Sequence, residues 1–324
     1  MDYSHLTEKK KQLDQHRPLP DALIANLDDW FRIELTFTSN AIEGNTLTRR
    51  ETALVVEKGI TVGGKTLSEH LEATNHAQAL DWVQEQIGRK PQIISERDIL
   101  TIHDIILKGI DDTNSGRYRS IPVRISGSGV VLPNPFKVPD LMADYISWIK
   151  QEKKMHPVEL AAEMHYRLVT IHPFVDGNGR TARLLMNMVL LMQGYPAAII
   201  RKRDRLAYIG ALEKAQLGGS KEDYLKLISK AVGRSLDIYL TALKGEVHVS
   251  SDEGRLFKIG ELAKQVGENN STIRHWTKEG LLEVAEITKS GYQLYGPEMV
   301  SRVKHIQTLK KQRYTLQEIR IKLD

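Results

Sequence analysis

The sequence predicts a mostly α protein with one short β-hairpin in its middle and a small basic unit at its C-terminal end. Three observations predict it. Apolar residues recur at three- and four-residue spacing through much of the chain from residue 20 to Leu243. A single stretch, Ile121 to Leu132, carries β-branched residues around the turn Ser126-Gly127-Ser128-Gly129. Charge is segregated: Arg255 to Asp324 holds 13 Lys and Arg against 8 Asp and Glu, whereas the preceding residues hold 33 of each.

The elements follow in order. Ala22 to Phe37 and Leu67 to Ile87 read as amphipathic helices, punctuated by Gly59, Gly63 and Gly64. Ile121 to Leu132 reads as a hairpin stopped by Pro133-Asn134-Pro135. Pro139 then opens a helix that carries Leu141, Met142, Tyr145, Ile146 and Ile149 on one face, and Pro157 opens another with Leu160, Met164, Leu168 and Ile171. Thr181 to Met192 is apolar enough to be buried on most sides, and Arg203 to Ala215 and Lys221 to Leu243 give further helices. Ser250, Ser251, Asp252, Glu253 and Gly254 form a polar run suited to a linker.

At 324 residues and 41% apolar content the chain can bury a sizeable core, which argues against disorder. It contains no cysteine, so disulfides and thiolate metal sites are excluded and a reducing compartment is expected. The N-terminal residues lack a signal-like apolar stretch, and the greasiest run, Leu184 to Met192, is interrupted by Asn187 and too short to span a bilayer. A cytoplasmic protein with no membrane partner is expected.

The chemistry is concentrated in His172 to Arg183, HPFVDGNGRTAR. His172 has the titration range of a general base. Asp176 offers a hard oxygen to Mg²⁺ bridging phosphate oxygens. Gly177, Asn178 and Gly179 can turn backbone N–H groups toward an anion at a helix N-terminus. Arg180 and Arg183, three apart on the following helix, present guanidinium forks to outer phosphates. Pro173 and Phe174 are read as structural. The equipment is that for moving a phosphate-bearing group.

This stretch resembles the signature of the Fic family, HPFx(D/E)GNGRxxR, with every position filled. Eight specified positions at about one in twenty each put a chance match near roughly one in 10⁸ over this length. The resemblance implies an enzyme with a Fic-type helical core, transferring AMP from ATP to a tyrosine, threonine or serine hydroxyl of a protein with release of pyrophosphate. Both a separate protein and the chain itself (self-modification) are open as the acceptor. It also implies that the hairpin is the family's flap, with Val123, Arg124, Ile125 and Ser126 pairing with the target beside His172. Gly179 stands where the phosphorylating Doc branch has lysine, which favours nucleotidyl transfer. Tyr208 and Gln216 fall where related enzymes place adenine and ribose contacts, although packing suits Tyr208 better.

Upstream, Ser39-Asn40-Ala41-Ile42-Glu43-Gly44 resembles the inhibitory motif (S/T)xxxE(G/N) of Fic proteins that carry their own repressor helix. Ser39 and Glu43 would share one helix face and Gly44 would end the helix. Glu43 paired with Arg183 would then occupy the guanidinium meant for the γ-phosphate.

Phe257 to Leu282, with Gly291-Tyr292 and Tyr295, resembles the winged helix-turn-helix of MerR regulators. Ile259 to Val266 would be the first helix, Gly267 the turn and Ser271 to Glu279 the recognition helix, with Thr272, Arg274 and Lys278 facing outward to DNA. Lys289 to Gln293 would lie in the wing and Leu309 to Leu323 would complete the unit. The expected division is 1–95 with the inhibitory helix, 96–246 as catalytic core, 247–254 as linker and 255–324 as the winged unit. A second class of function also fits these residues, a DNA-binding transcriptional regulator whose core senses nucleotide.

Overall fold

The computed structural model describes residues 1–88, 94–152, 154–244, 256–287, 292–296, 298–312 and 314–323. The chain divides into two units, Met1–Glu246 and Val247–Asp324, and separate apolar clusters fill them. The expected linker at 247–254 and wing residues 289–291 lie outside the described residues.

The first unit is helical, as the apolar spacing predicts. Its elements are α1 (Ser4–Asp14), α2 (Asp21–Ile42), α3 (Arg49–Lys58), α4 (Leu67–Ile87) and α5 (Glu96–Leu107), then α6 (Val138–Gln151), α7 (Pro157–Ile171), α8 (Asn178–Met192), α9 (Arg205–Gln216) and α10 (Glu222–Leu243). Helix α8 is the axis: every residue from Arg180 through Leu190 is buried, and α4, α5 and α7 all pack on it. Full burial contributes about 1.5–3 kcal/mol for each such leucine or methionine. Asn187, the polar interruption, is satisfied inside by Ala198: its Oδ1 accepts the Ala198 N–H at 2.8 Å. One core runs from Tyr3 to Leu236, so packing is continuous across the expected boundary at 95 and 96.

Two helices, α1 and α5, lie outside the stretches read as helical. Helix α1 is short and lies along α10. Helices α3 and α5 begin with capping boxes, Thr48 with Glu51 and Ser95 with Asp98, in which side chain and backbone satisfy each other's orphan N–H groups. Thr66 and Glu69 do the same at α4.

The expected hairpin is not a β-ladder. Residues 121–132 carry no strand, and the Ser128 N–H donates to Ile125 O at 3.2 Å across a turn where Gly127 has φ +76°. Pairing is disfavoured on both sides of a ladder: Pro122 within the loop and Pro133 just after it lack N–H donors, and the carbonyls of Ile121 and Pro133 already accept from the Arg119 side chain.

The second unit comprises β1 (Phe257–Lys258), α11 (Ile259–Val266), α12 (Asn270–Lys278), β2 (Glu286–Ile287), β3 (Gln293–Tyr295), α13 (Glu298–Lys311) and α14 (Leu316–Leu323). Strand β3 lies antiparallel between β1 and β2, with Phe257 opposite Tyr295 and Glu286 opposite Leu294. Gly267 turns α11 toward α12 at φ +71°, and the Asn269 carboxamide caps α12 by accepting the Thr272 N–H at 2.8 Å. Ile273 and Trp276 are buried in the unit's core, which leaves Arg274 and Lys278 exposed on the opposite face. Among the described residues no helix is long and apolar enough to cross a membrane.

Candidate active site

The site lies between the end of α7 and the start of α8. His172 ends α7 in the left-handed conformation, φ 51° and ψ 59°. It is the one non-glycine residue with positive φ among the described residues, a strain of order 1 kcal/mol that the surroundings must hold. They hold it at three points: the His172 N–H donates to Leu168 O at 2.9 Å, Arg119 Nε donates to His172 O at 2.7 Å, and the Arg119 N–H donates to Pro173 O at 2.8 Å.

The ring is oriented too. His172 Nδ1 lies 3.3 Å from Val169 O, and a carbonyl only accepts, so Nδ1 carries the proton and Nε2 keeps the lone pair. Burial holds the His172 pKa below its ordinary value, and Arg119 acts in the same direction; the Val169 carbonyl, Glu43 and Asp176 oppose them. A neutral imidazole with Nε2 open to a proton results.

The loop that follows is built on Phe174. Its ring is fully buried and stacks on His103 at 3.6 Å. Its N–H donates to Asn178 Oδ1 and its carbonyl accepts from Asn178 Nδ2, both at 2.9 Å. The Asn178 side chain is thus spent on the loop, which leaves its backbone N–H as the group it can offer to an anion. His103 accepts the Gly116 N–H on Nδ1 and donates from Nε2 to Asp176 O, each at 3.0 Å. Burial lowers its pKa to about 4, so it stays neutral as a brace.

Gly177 caps α8 at φ +75°, and among the described residues nothing accepts the N–H groups of Asn178, Gly179 or Arg180. Three open amides at the positive end of a helix dipole suit an anion. Asp176 is the exposed group, one carboxylate oxygen taken by Arg180 Nη2 at 2.9 Å. Arg180 itself is buried between Asp176 and Glu72, the latter at 3.1 Å. This corrects its expected role: the fork faces two carboxylates and orients Asp176 rather than reaching outward.

Arg183 is buried as well; Tyr208 on α9 acts on it, and its other partners come from the end of α2. Nε donates to Ser39 Oγ and Nη2 to Ser39 O, both at 3.0 Å, and Nη2 reaches Glu43 Oε1 at 2.6 Å. Gly44, at φ +104°, turns the chain away. This end of α2 is fixed from outside: Arg205 Nε donates to Ile42 O at 2.6 Å, Asn40 Nδ2 donates to Glu72 O at 3.1 Å, and just beyond the helix Asn45 Nδ2 donates to Glu69 O at 3.0 Å. A Cβ at position 179 would fall on the Glu43 carboxylate, so glycine makes room for it.

Of the remaining expected residues, Tyr208 is buried, its hydroxyl 2.7 Å from His165 Nε2, and it presents no face to an adenine. Gln216 is half-buried at the end of α9, with Nε2 on Thr170 Oγ1 at 3.2 Å. Val123 and Ile125 are half-buried, while Arg124 and Ser126 are exposed. The 121–132 loop is tied down at its tip, where Ser128 Oγ and the Gly129 N–H both donate to Glu213 Oε1 at 2.8 Å. In the second unit Thr272 is half-buried and binds the Asn269 cap through both N–H and Oγ1, so of the three expected outward residues only Arg274 and Lys278 are exposed. Glu72, His103, Arg119 and Glu213 were not foreseen, and no local pattern marks them, because their partners are remote main-chain groups or residues of other helices.

Fold and site together define a helical protein whose central helix begins at anion-ready amides beside an oriented imidazole. A Fic/DOC family model matches residues 93–190, and a model of the MerR HTH family regulatory proteins matches residues 257–324. A protein adenylyltransferase Fic of Nematostella vectensis is 39% identical over 208 residues, 64% of this chain and 48% of that protein. One from Culex quinquefasciatus is 34% identical over 284 residues, 86% and 56% respectively. The crystal structure of a Fic domain containing signaling protein from Bacteroides thetaiotaomicron matches with a TM-score of 0.67 and 32% identity, covering 75% of this chain and 98% of that one. The chain belongs to the Fic family. It spans about half the length of the curated relatives it matches.

Proposed function

We propose that this protein transfers AMP from ATP to a tyrosine, threonine or serine hydroxyl of a protein, and that Glu43 restrains the transfer. The observation that carries this reading is the position of Arg183, held by Ser39 and Glu43 at the head of a helix with three open amides beside the neutral His172. The names of the curated relatives, protein adenylyltransferases, support it.

In this reading His172 Nε2 accepts the proton of the acceptor hydroxyl. The oxygen bonds to the α-phosphorus as the bond from that phosphorus to its bridging oxygen breaks, and pyrophosphate leaves. The amides of Asn178, Gly179 and Arg180 hold phosphate oxygens. Arg183 takes the outer phosphate once Glu43 withdraws, and Arg180 aims Asp176. Gln216 is kept as a ribose contact and Tyr208 is not kept as an adenine contact. The 123–126 segment, which pairs with no strand among the described residues, is where an extended target segment docks.

Asp176 fits Mg²⁺: its carboxylate is largely exposed, with one oxygen engaged. The described residues gather no group of three or more candidate ligands, so such an ion would take most of its ligands from nucleotide and water, as Mg²⁺ commonly does. When bound it would offset charge on the leaving phosphates.

Incubation with α-labelled ATP tests the reading. The Glu43→Gly variant is expected to incorporate label at least about 10-fold faster than the wild type, and His172→Ala to abolish incorporation. Equal labelling by wild type and Glu43→Gly would overturn the brake; labelling that survives His172→Ala would overturn the base.

For the second unit we propose DNA binding through the exposed Arg274 and Lys278, supported by the MerR model match. A gel shift at stated salt should show binding that falls steeply as salt rises and vanishes without residues 255–324. Nothing favours the alternative of a nucleotide-sensing regulator without transfer chemistry.

A further inference from the structure

We infer that Arg119 is a positioning residue whose single guanidinium fixes the base and the target-docking loop to each other. The inference rests on the transferase reading above, but its geometry stands alone. Arg119 is 3% exposed, and among the described residues no carboxylate pairs with it. Its charge is spent on three carbonyls: Nε on His172 at 2.7 Å, Nη1 on Ile121 at 3.3 Å and Nη2 on Pro133 at 2.6 Å.

Those acceptors are not arbitrary. Ile121 and Pro133 are the two ends of the loop, so one side chain closes its neck where a strand ladder would otherwise do so. Closure by a side chain leaves residues 123–126 with no strand partner, free for an incoming chain. The third acceptor belongs to the left-handed His172, whose peptide must be held in that strained state for Nε2 to stay aimed. The same cation lies near the imidazole, where the other charged groups acting on it are Glu43 from the end of α2 and Asp176 from the signature loop. Lysine cannot replace it, because a point charge cannot serve three carbonyls set around a planar fork.

The test uses the full-length Glu43→Gly protein with Arg119→Lys or Arg119→Gln added. Both variants should exchange the amides of residues 120, 121 and 123–132 at least about 10-fold faster and lose roughly 10²-fold in AMP transfer through misplacement, while the KM for ATP stays within about twofold. Loss of the charge separates the variants: NMR titration of the His172 ring should move to higher pH in Arg119→Gln and stay in place in Arg119→Lys. Unchanged loop exchange in both variants, or an ATP KM that rises in step with the lost rate, overturns the inference. If the Gln variant fails to fold, exchange and rate in the Lys variant decide it. If the Glu43→Gly parent transfers no AMP, the proposed function fails, and exchange with titration still decides the role of Arg119.

Discussion

His172 is constrained in three different ways by its surroundings. Arg119 holds its carbonyl, Val169 takes its Nδ1 proton, and burial keeps the ring neutral. A base works only in its neutral form, so protonation switches it off as pH falls through its folded pKa, which lies below 6.5. The acid limb of kcat/KM for the Glu43→Gly variant is therefore expected below pH 6.5. Removing Glu43 takes away a carboxylate that favours the imidazolium, which moves the limb lower still. A pH profile with its limb above 6.5 would contradict this account of the site.

At the scale of elements, the 121–132 loop owes its shape to side chains at both ends rather than to strand pairing. Arg119 closes the neck, and Glu213 on α9 holds the tip through Ser128 and Gly129. Those two bonds lower the Glu213 pKa, so the latch is intact above its ordinary value of 4.5 and opens as pH falls through the folded value. Glu213→Ala should speed amide exchange at residues 128 and 129 and raise the KM for a protein acceptor, leaving that for ATP unchanged. Exchange identical to the wild type would remove the latch. Helices α3 and α5 teach a second lesson at this scale. Ser95 with Asp98 marks the start of α5 in plain sequence, ahead of the apolar face Ile99, Ile102, Ile106 and Leu107, and Thr48 with Glu51 does the same for α3.

Across the whole first unit, one core encloses several imidazoles that must stay uncharged. Burial is the largest cause lowering the pKa values of His76 and His165 to about 3 and of His103 to about 4. In the unfolded chain each would protonate near 6.5, so the unfolded state binds more protons throughout that window. Stability is full above pH 6.5 and should fall as pH drops toward 4, by up to about 1.4 kcal/mol per pH unit for each group. Urea melts between pH 7 and pH 4 check it. A midpoint that does not move would show that these rings are solvated or already charged in the folded protein.

The sequence by itself determined the helical class, the contiguous His172 to Arg183 signature and the Ser39 to Glu43 spacing, because each is written in residues that are neighbours along one chain segment. Apolar periodicity and motif spacing are local properties, and they survive without coordinates. Only the tertiary structure decided which partners those residues meet: that Arg183 reaches α2, that Arg180 is enclosed by Glu72, that Tyr208 is buried against His165, and that Arg119 replaces a β-ladder. Those contacts join positions far apart in the chain, or use backbone carbonyls that every residue possesses, so no side-chain pattern could announce them. Local chemistry names the reacting groups; long-range packing fixes where each one points.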